Sequence, residues 1–193
     1  QGRRHSCRNN NDQNILIMKR LLISIAFLSV LFSCAEEPQN KEISIIPQPQ
    51  AISVDEGVFE VNKDTKIFID PCTDEMKRIA GFINEKFEKA AGFELEIVDR
   101  MPEENFIAFK NAGMPTESYV INAKPYGVSI DYGDGAGAFY AVQTLLQLLP
   151  VEIFAQNRQA GTDWIIPCCS IDDAPRFKYR GMHLDVCLHY FDF

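Results

Sequence analysis

The side chains best suited to chemistry crowd one end of this 193-residue chain. Residues 175–193 read PRFKYRGMHLDVCLHYFDF and place His183, Asp185 and His189 within seven positions. A carboxylate and two imidazoles this close supply hydrogen-bond acceptors, donors and a group that titrates near neutrality. Tyr179, Gly181, His183 and Asp185 alternate with Arg180, Met182, Leu184 and Val186, so a strand over Tyr179–Val186 would sort them onto opposite faces. No partner that would make His183 a base is visible, and it reads as a packed histidine. A second candidate is Gly133-Asp134-Gly135-Ala136-Gly137, between a strand pattern and a helix pattern, where phosphate loops occur. It lacks GxxxxGK[ST], its GxGxG is not GxGxxG, and Asp134 would oppose any phosphate. It therefore reads as a structural turn exploiting glycine's tolerance of positive φ.

The cysteines offer less. Cys72, Cys168, Cys169 and Cys187 form no CxxC and no Cys/His ligand spacing, so no zinc site is expected. Adjacent Cys168 and Cys169 on a strand would point to opposite faces and read as buried small hydrophobes. Nothing in the spacing sets a disulfide pairing.

The elements that must position these residues begin after a leader. Residues 1–17 are polar and aperiodic and are read as upstream sequence translated by mistake, with Met18 the true start. Lys19 and Arg20 precede Leu21–Phe32, an apolar run too short for a membrane-spanning helix, which needs ~20 residues. Residues 18–33 thus read as a signal peptide. Leu31-Phe32-Ser33-Cys34 resembles a bacterial lipobox, making Cys34 a lipid anchor to the membrane. Ala35-Glu36-Glu37 then resembles a surface-export signal, and residues 34–42 form a tether. The expected location is that of an exported bacterial lipoprotein at the outer membrane, on its periplasmic or surface-exposed face. Removing a leader that carries Arg3, Arg4, Arg8, Lys19 and Arg20 against Asp12 takes the net charge from −8 to about −12. So acidic a surface repels phosphate backbones, and no nucleic-acid partner is expected.

Residues 43–174 read as one α+β domain. Ile43, Ile45 and Ile46 suit a short strand stopped by Pro47. Ala51–Val54 and Val58–Val61 flank Asp55-Glu56-Gly57 like the arms of a hairpin. Lys66–Asp70 reads as a strand, and 73–91 as an amphipathic helix. Thr73 is its N-cap, Met76, Ile79, Ala80, Ile83, Phe87, Ala90 and Ala91 form its stripe, Glu85 pairs with Lys89, and Gly92 closes it. Gly81 within it costs up to ~1 kcal/mol relative to Ala, which close packing would explain. Glu94–Val98, Asn105–Phe109, Tyr119–Asn122 and Gly127–Tyr132 read as strands. A second helix, about Ala136–Leu149, is apolar almost all round and calls for burial on both sides, one against the sheet and one against a further domain. Trp164–Ile171 reads as an edge or connecting strand because of Pro167.

Three separate stretches carry a resemblance: IIPQPQ at 45–50, GDGAGAFYAVQTLLQLLP at 133–150 and DDAPRFKYRGMHLDVCLHYF at 172–191. Together they resemble glycoside hydrolase family 20, the β-N-acetylhexosaminidases. The resemblance implies a mostly antiparallel or mixed sheet packed against two helices. It also makes 175–193 the first strand of a truncated (β/α)₈ barrel. The implied parent is a retaining exo-glycosidase removing terminal GlcNAc or GalNAc by substrate-assisted catalysis. Its Asp-Glu pair lies on a later strand, so no catalytic residue is assigned to this chain, which is expected to be inactive alone. No metal or organic cofactor is implied. The motif implies a sugar-gripping Arg where Leu188 stands, so that grip is missing. At the active-site end of a barrel strand, Asp185 and His189 would either contact sugar or make structural hydrogen bonds. The alternative is a surface lipoprotein module that binds glycan or a protein partner without catalysis.

Overall fold

The structure, a computed structural model, describes residues 43–183. Its elements are β1 (Ala51–Glu60), β2 (Lys66–Asp70), α1 (Asp74–Ala90), β3 (Glu96–Val98), β4 (Phe106–Asn111), β5 (Tyr119–Lys124), β6 (Gly127–Tyr132), α2 (Gly135–Leu148) and β7 (Ile165–Asp173). The strands form one sheet in the order β1-β7-β5-β6-β4-β2-β3. From β1 to β6 the neighbours are antiparallel, and from β6 to β3 they are parallel. This is the expected α+β class, a mixed sheet with two helices.

Alternation along the strands decides which face is covered. Ile67, Ile69, Ile107, Phe109, Ile121, Val128 and Ile130 share one core with the stripes of α1 and α2. The opposite face carries Ser170, whose hydroxyl donates to Asn122 Oδ1 at 2.9 Å, in line with Ser53 and Ser129.

Helix α1 forms as its sequence dictates. Thr73 Oγ1 accepts from Met76 N at 3.2 Å, Asp74 and Glu75 sit in the first turn, and Lys89 Nζ lies 2.9 Å from Glu85 Oε1. Met76, Ile79, Ala80, Ile83, Phe87 and Ala90 are buried. Gly92, at φ 80°, donates its N–H to Phe87 O at 2.9 Å. The stripe is anchored by Trp164, whose ring meets Phe87 edge-on at 5.8 Å. Close packing does not account for Gly81, because a Cβ there would meet nothing within 4 Å.

Four other expectations are corrected. The hairpin at Asp55-Glu56-Gly57 is a bulge within one strand. Val54 pairs with Cys169 and Val58 with Pro167, so β1 spends two extra residues against β7, with Gly57 at φ 100°. Lys124 Nζ meets Asp55 Oδ2 at 2.5 Å and ties the bulge to β5. No strand forms at Ile43–Ile46. The Gln147 side chain satisfies the Ile46 backbone instead, accepting from its N–H at 2.9 Å and donating to its carbonyl at 3.1 Å. Strand β7 is not an edge, since β1 covers it; Pro167 is tolerated because β5 pairing stops at Cys169. Finally, residues 179–183, the described part of the expected Tyr179–Val186 strand, are exposed and have no ladder partner. His183 is exposed in this chain.

Cys168 and Cys169 are both fully buried, and burial pushes the Cys169 thiol up to about 11. Helix α2 packs on β5, β6 and α1. Phe139 and Tyr140 remain half-buried and Gln143 exposed, so a strip of the helix faces outward.

Candidate functional site

The glycine-rich corner and the outward strip of α2 meet in one place. Asp134 has extended backbone and caps α2, its Oδ1 accepting from Gly137 N at 2.9 Å. The same oxygen accepts from Glu117 N at 3.0 Å. The carboxylate therefore occupies the helix N-terminus that a phosphate would need. The turn reading holds, but its reason changes: the positive-φ glycines are Gly57, Gly92, Gly113 and Gly161. Close backbone approach is what Gly133 and Gly137 serve. A Cβ on Gly133 would lie 2.7 Å from Met114 O, and one on Gly137 3.1 Å from Ser118 C.

The Asp134 contact sets the residue beside it. Glu117 sits at φ 64°, a backbone conformation that L side chains adopt at a cost. There its carboxylate Oε1 accepts from Tyr140 OH at 3.2 Å and from Arg180 Nη2. Arg180 Nη2 also bonds Tyr140 OH at 3.2 Å, Nη1 donates to Phe177 O at 2.5 Å, and the guanidinium lies 5.9 Å from the Tyr140 ring centre. The hydrogen bond to Glu117, then that to Tyr140, holds the Arg180 pKa above its ordinary value.

Rings continue from this cluster. Tyr140 lies 6.2 Å from Phe139, which meets Phe82 of α1 edge-on at 5.4 Å. Phe82 is 39% exposed and Phe154 44%. Beneath these rings, Tyr119 OH bonds Thr144 Oγ1 at 2.6 Å and donates to Asp173 Oδ2 at 3.0 Å, joining β5, α2 and β7. Burial pushes the Tyr119 phenol well up.

Among the sequence-derived candidates, Cys34, Asp185, Leu188 and His189 lie outside the described residues. Arg180 was placed in a motif without a role, and Glu117 was missed altogether. Nothing local in the sequence points to Glu117, whose pairing partner Arg180 is 63 residues away.

A family model described as "Glycosyl hydrolase family 20, domain 2" matches residues 42–174. The chain belongs to glycosyl hydrolase family 20. A β-hexosaminidase of Porphyromonas gingivalis is 34% identical over 186 residues, which is 90% of this chain and 24% of that protein. A β-hexosaminidase of Vibrio vulnificus is 30% identical over 142 residues, 74% of this chain and 15% of that protein. In solved structures, the family 20 β-N-acetylhexosaminidase from Streptomyces coelicolor aligns with a TM-score of 0.68 at 29% identity, covering 76% of this chain and 29% of that one. The Streptomyces plicatus N-acetyl-β-hexosaminidase in complex with Thio-NAglucal gives 0.67 at 30%, with the same coverage. The chain thus spans about a quarter of the length of the P. gingivalis relative. What it shares with the Streptomyces structures is the α+β fold described above.

Proposed function

We propose that this domain serves a β-N-acetylhexosaminidase by bracing its catalytic barrel. The observation that carries the reading is the match of residues 42–174 to the family's second domain, with family 20 β-hexosaminidases among the relatives. The outward-facing rings of Phe82 and Phe139, the first 39% exposed and the second half-buried, support it as an apolar surface on the helix layer. The substrate class is a glycan ending in GlcNAc or GalNAc. Hydrolysis proceeds with retention: the substrate's own acetamido oxygen attacks the anomeric carbon, an Asp orients that group, and an adjacent Glu protonates the leaving oxygen. Neither acid is assigned to a residue of these 193. On the family's motif, Asp185 and His189 would belong to the active-site end of the first barrel strand, there to contact sugar or to make structural hydrogen bonds, and Leu188 stands where the motif has an Arg. Cys34 carries the lipid that holds the protein to the membrane.

The test compares the 193-residue chain with the same chain extended by its native coding sequence, on a chromogenic N-acetylglucosaminide. The extended protein should release chromophore and the shorter chain none. Turnover by the shorter chain, or an inactive extended protein without a neighbouring Asp-Glu pair, overturns the proposal. Labelled palmitate should enter the wild-type chain in a bacterial host and not Cys34→Ala.

A further inference from the structure

We infer that Arg180 is a latch that fixes the direction in which the chain leaves this domain. Phe177, Tyr179 and Met182 around it are 68%, 89% and 89% exposed. Among the described residues, the hydrogen bonds that tie 175–183 to the rest of the domain run through Arg180 alone, to Glu117 and Tyr140. An exposed ion pair by itself holds little. This one is a network: one guanidinium faces a carboxylate, a phenol oxygen and an aromatic ring, and its Nη1 clamps the Phe177 carbonyl of its own segment. A planar fork can satisfy these together, and a lysine ammonium cannot.

The receiving side is set by the core rather than by Arg180. Glu117 is held in the left-handed region at φ 64° by the bond from its N–H to Asp134 Oδ1, and Asp134 is itself held by capping α2. A costly backbone conformation maintained by a helix cap, presenting one carboxylate outward, is a built receptor. Tyr140 projects from the same helix and completes it. The latch thus transmits the position of the α2 N-terminus to the outgoing chain. Its purpose, aiming that chain at a catalytic barrel, rests on the proposed function; the latch itself stands on the geometry.

Limited trypsin digestion of the whole 193-residue chain tests it, because Lys178 and Arg180 are themselves cleavage sites. When opening and closing are fast, cleavage tracks the open population. Glu117→Gln keeps every tryptic site and the shape of the side chain but removes the charge. Cleavage after Lys178 and Arg180 should accelerate roughly two- to five-fold relative to wild type. Tyr140→Phe should give a smaller rise, and high salt should speed the wild type but not Glu117→Gln. Cleavage after Lys89 within α1 serves as the control for global unfolding and should not change. Equal rates at Lys178 and Arg180 in wild type and Glu117→Gln, or acceleration at Lys89 to the same degree, overturns the latch. Neither result depends on glycosidase activity, so the latch and the proposed function fail separately.

Discussion

Replacing Gly137 by alanine sets two physical effects of opposite sign against each other. Helix propensity alone favours Ala over Gly by up to ~1 kcal/mol. At this position the added methyl would lie 3.1 Å from Ser118 C and 3.2 Å from Glu117 C, with Ser118 O closer still. These are backbone atoms, the carbons a few tenths of an ångström and Ser118 O about 1 Å inside ordinary contact. They cannot swing aside as a side chain does. Ser118 O accepts from Gly133 N at 3.1 Å, Ser118 Oγ donates to Pro115 O at 2.6 Å, and Glu117 N donates to Asp134 at 3.0 Å. Relief requires α2 to lift from the start of β5, which also stretches the Asp134 cap. Overpacking of ~1–3 kcal/mol and loss of much of a cap worth ~1 kcal/mol outweigh the propensity gain of up to ~1 kcal/mol, leaving a net loss of about 1–3 kcal/mol. For a chain of this size that lowers Tm by roughly 2–12 °C. Thermal and urea unfolding followed by circular dichroism measure it. Gly81→Ala is the internal contrast: it sits in α1 with nothing within 4 Å of its would-be Cβ, and should stabilise by up to ~1 kcal/mol. If Gly137→Ala matches or exceeds wild-type stability, close approach is not why glycine stands there.

Other outcomes follow from the buried groups. Tyr119→Phe leaves Thr144 and Asp173 short of a partner in a buried network and should cost ~1–3 kcal/mol in urea unfolding, without altering the far-ultraviolet spectrum. The Cys169 thiol is raised from its ordinary 9.0 to about 11 by burial, so the folded state binds that proton more tightly. Its contribution is fully present below pH 9 and is lost as pH rises towards 11, so Tm should be level up to the first value and fall beyond it. Cys169→Ala should make that alkaline fall shallower; an unchanged slope would refute the assignment.

Local signals carried much of this protein. The stripe, N-cap and terminal glycine of α1 lie within one continuous stretch, and each was realised as read. Lys66–Asp70 and Gly127–Tyr132 were realised to the residue, because alternation and a bounding proline or glycine are neighbour-to-neighbour properties. The failures share a cause. Asp55-Glu56-Gly57 has the composition of a turn, and whether such a stretch turns or bulges depends on β7, more than a hundred residues later. Ile43–Ile46 has strand composition but lost its ladder to Gln147, a partner 101 positions away.

The site divides along the same line. Family, fold class and the glycine-rich corner were legible in residue order, since motif spacing and short-range periodicity are written along the chain. The placement of Glu117 beneath Arg180, the use of Asp134 as a shared anchor, and the reason glycine occupies 133 and 137 all belong to the folded state. They depend on which backbones come within about 3–4 Å of one another, a distance that strand order and helix packing set and that no local window of sequence contains.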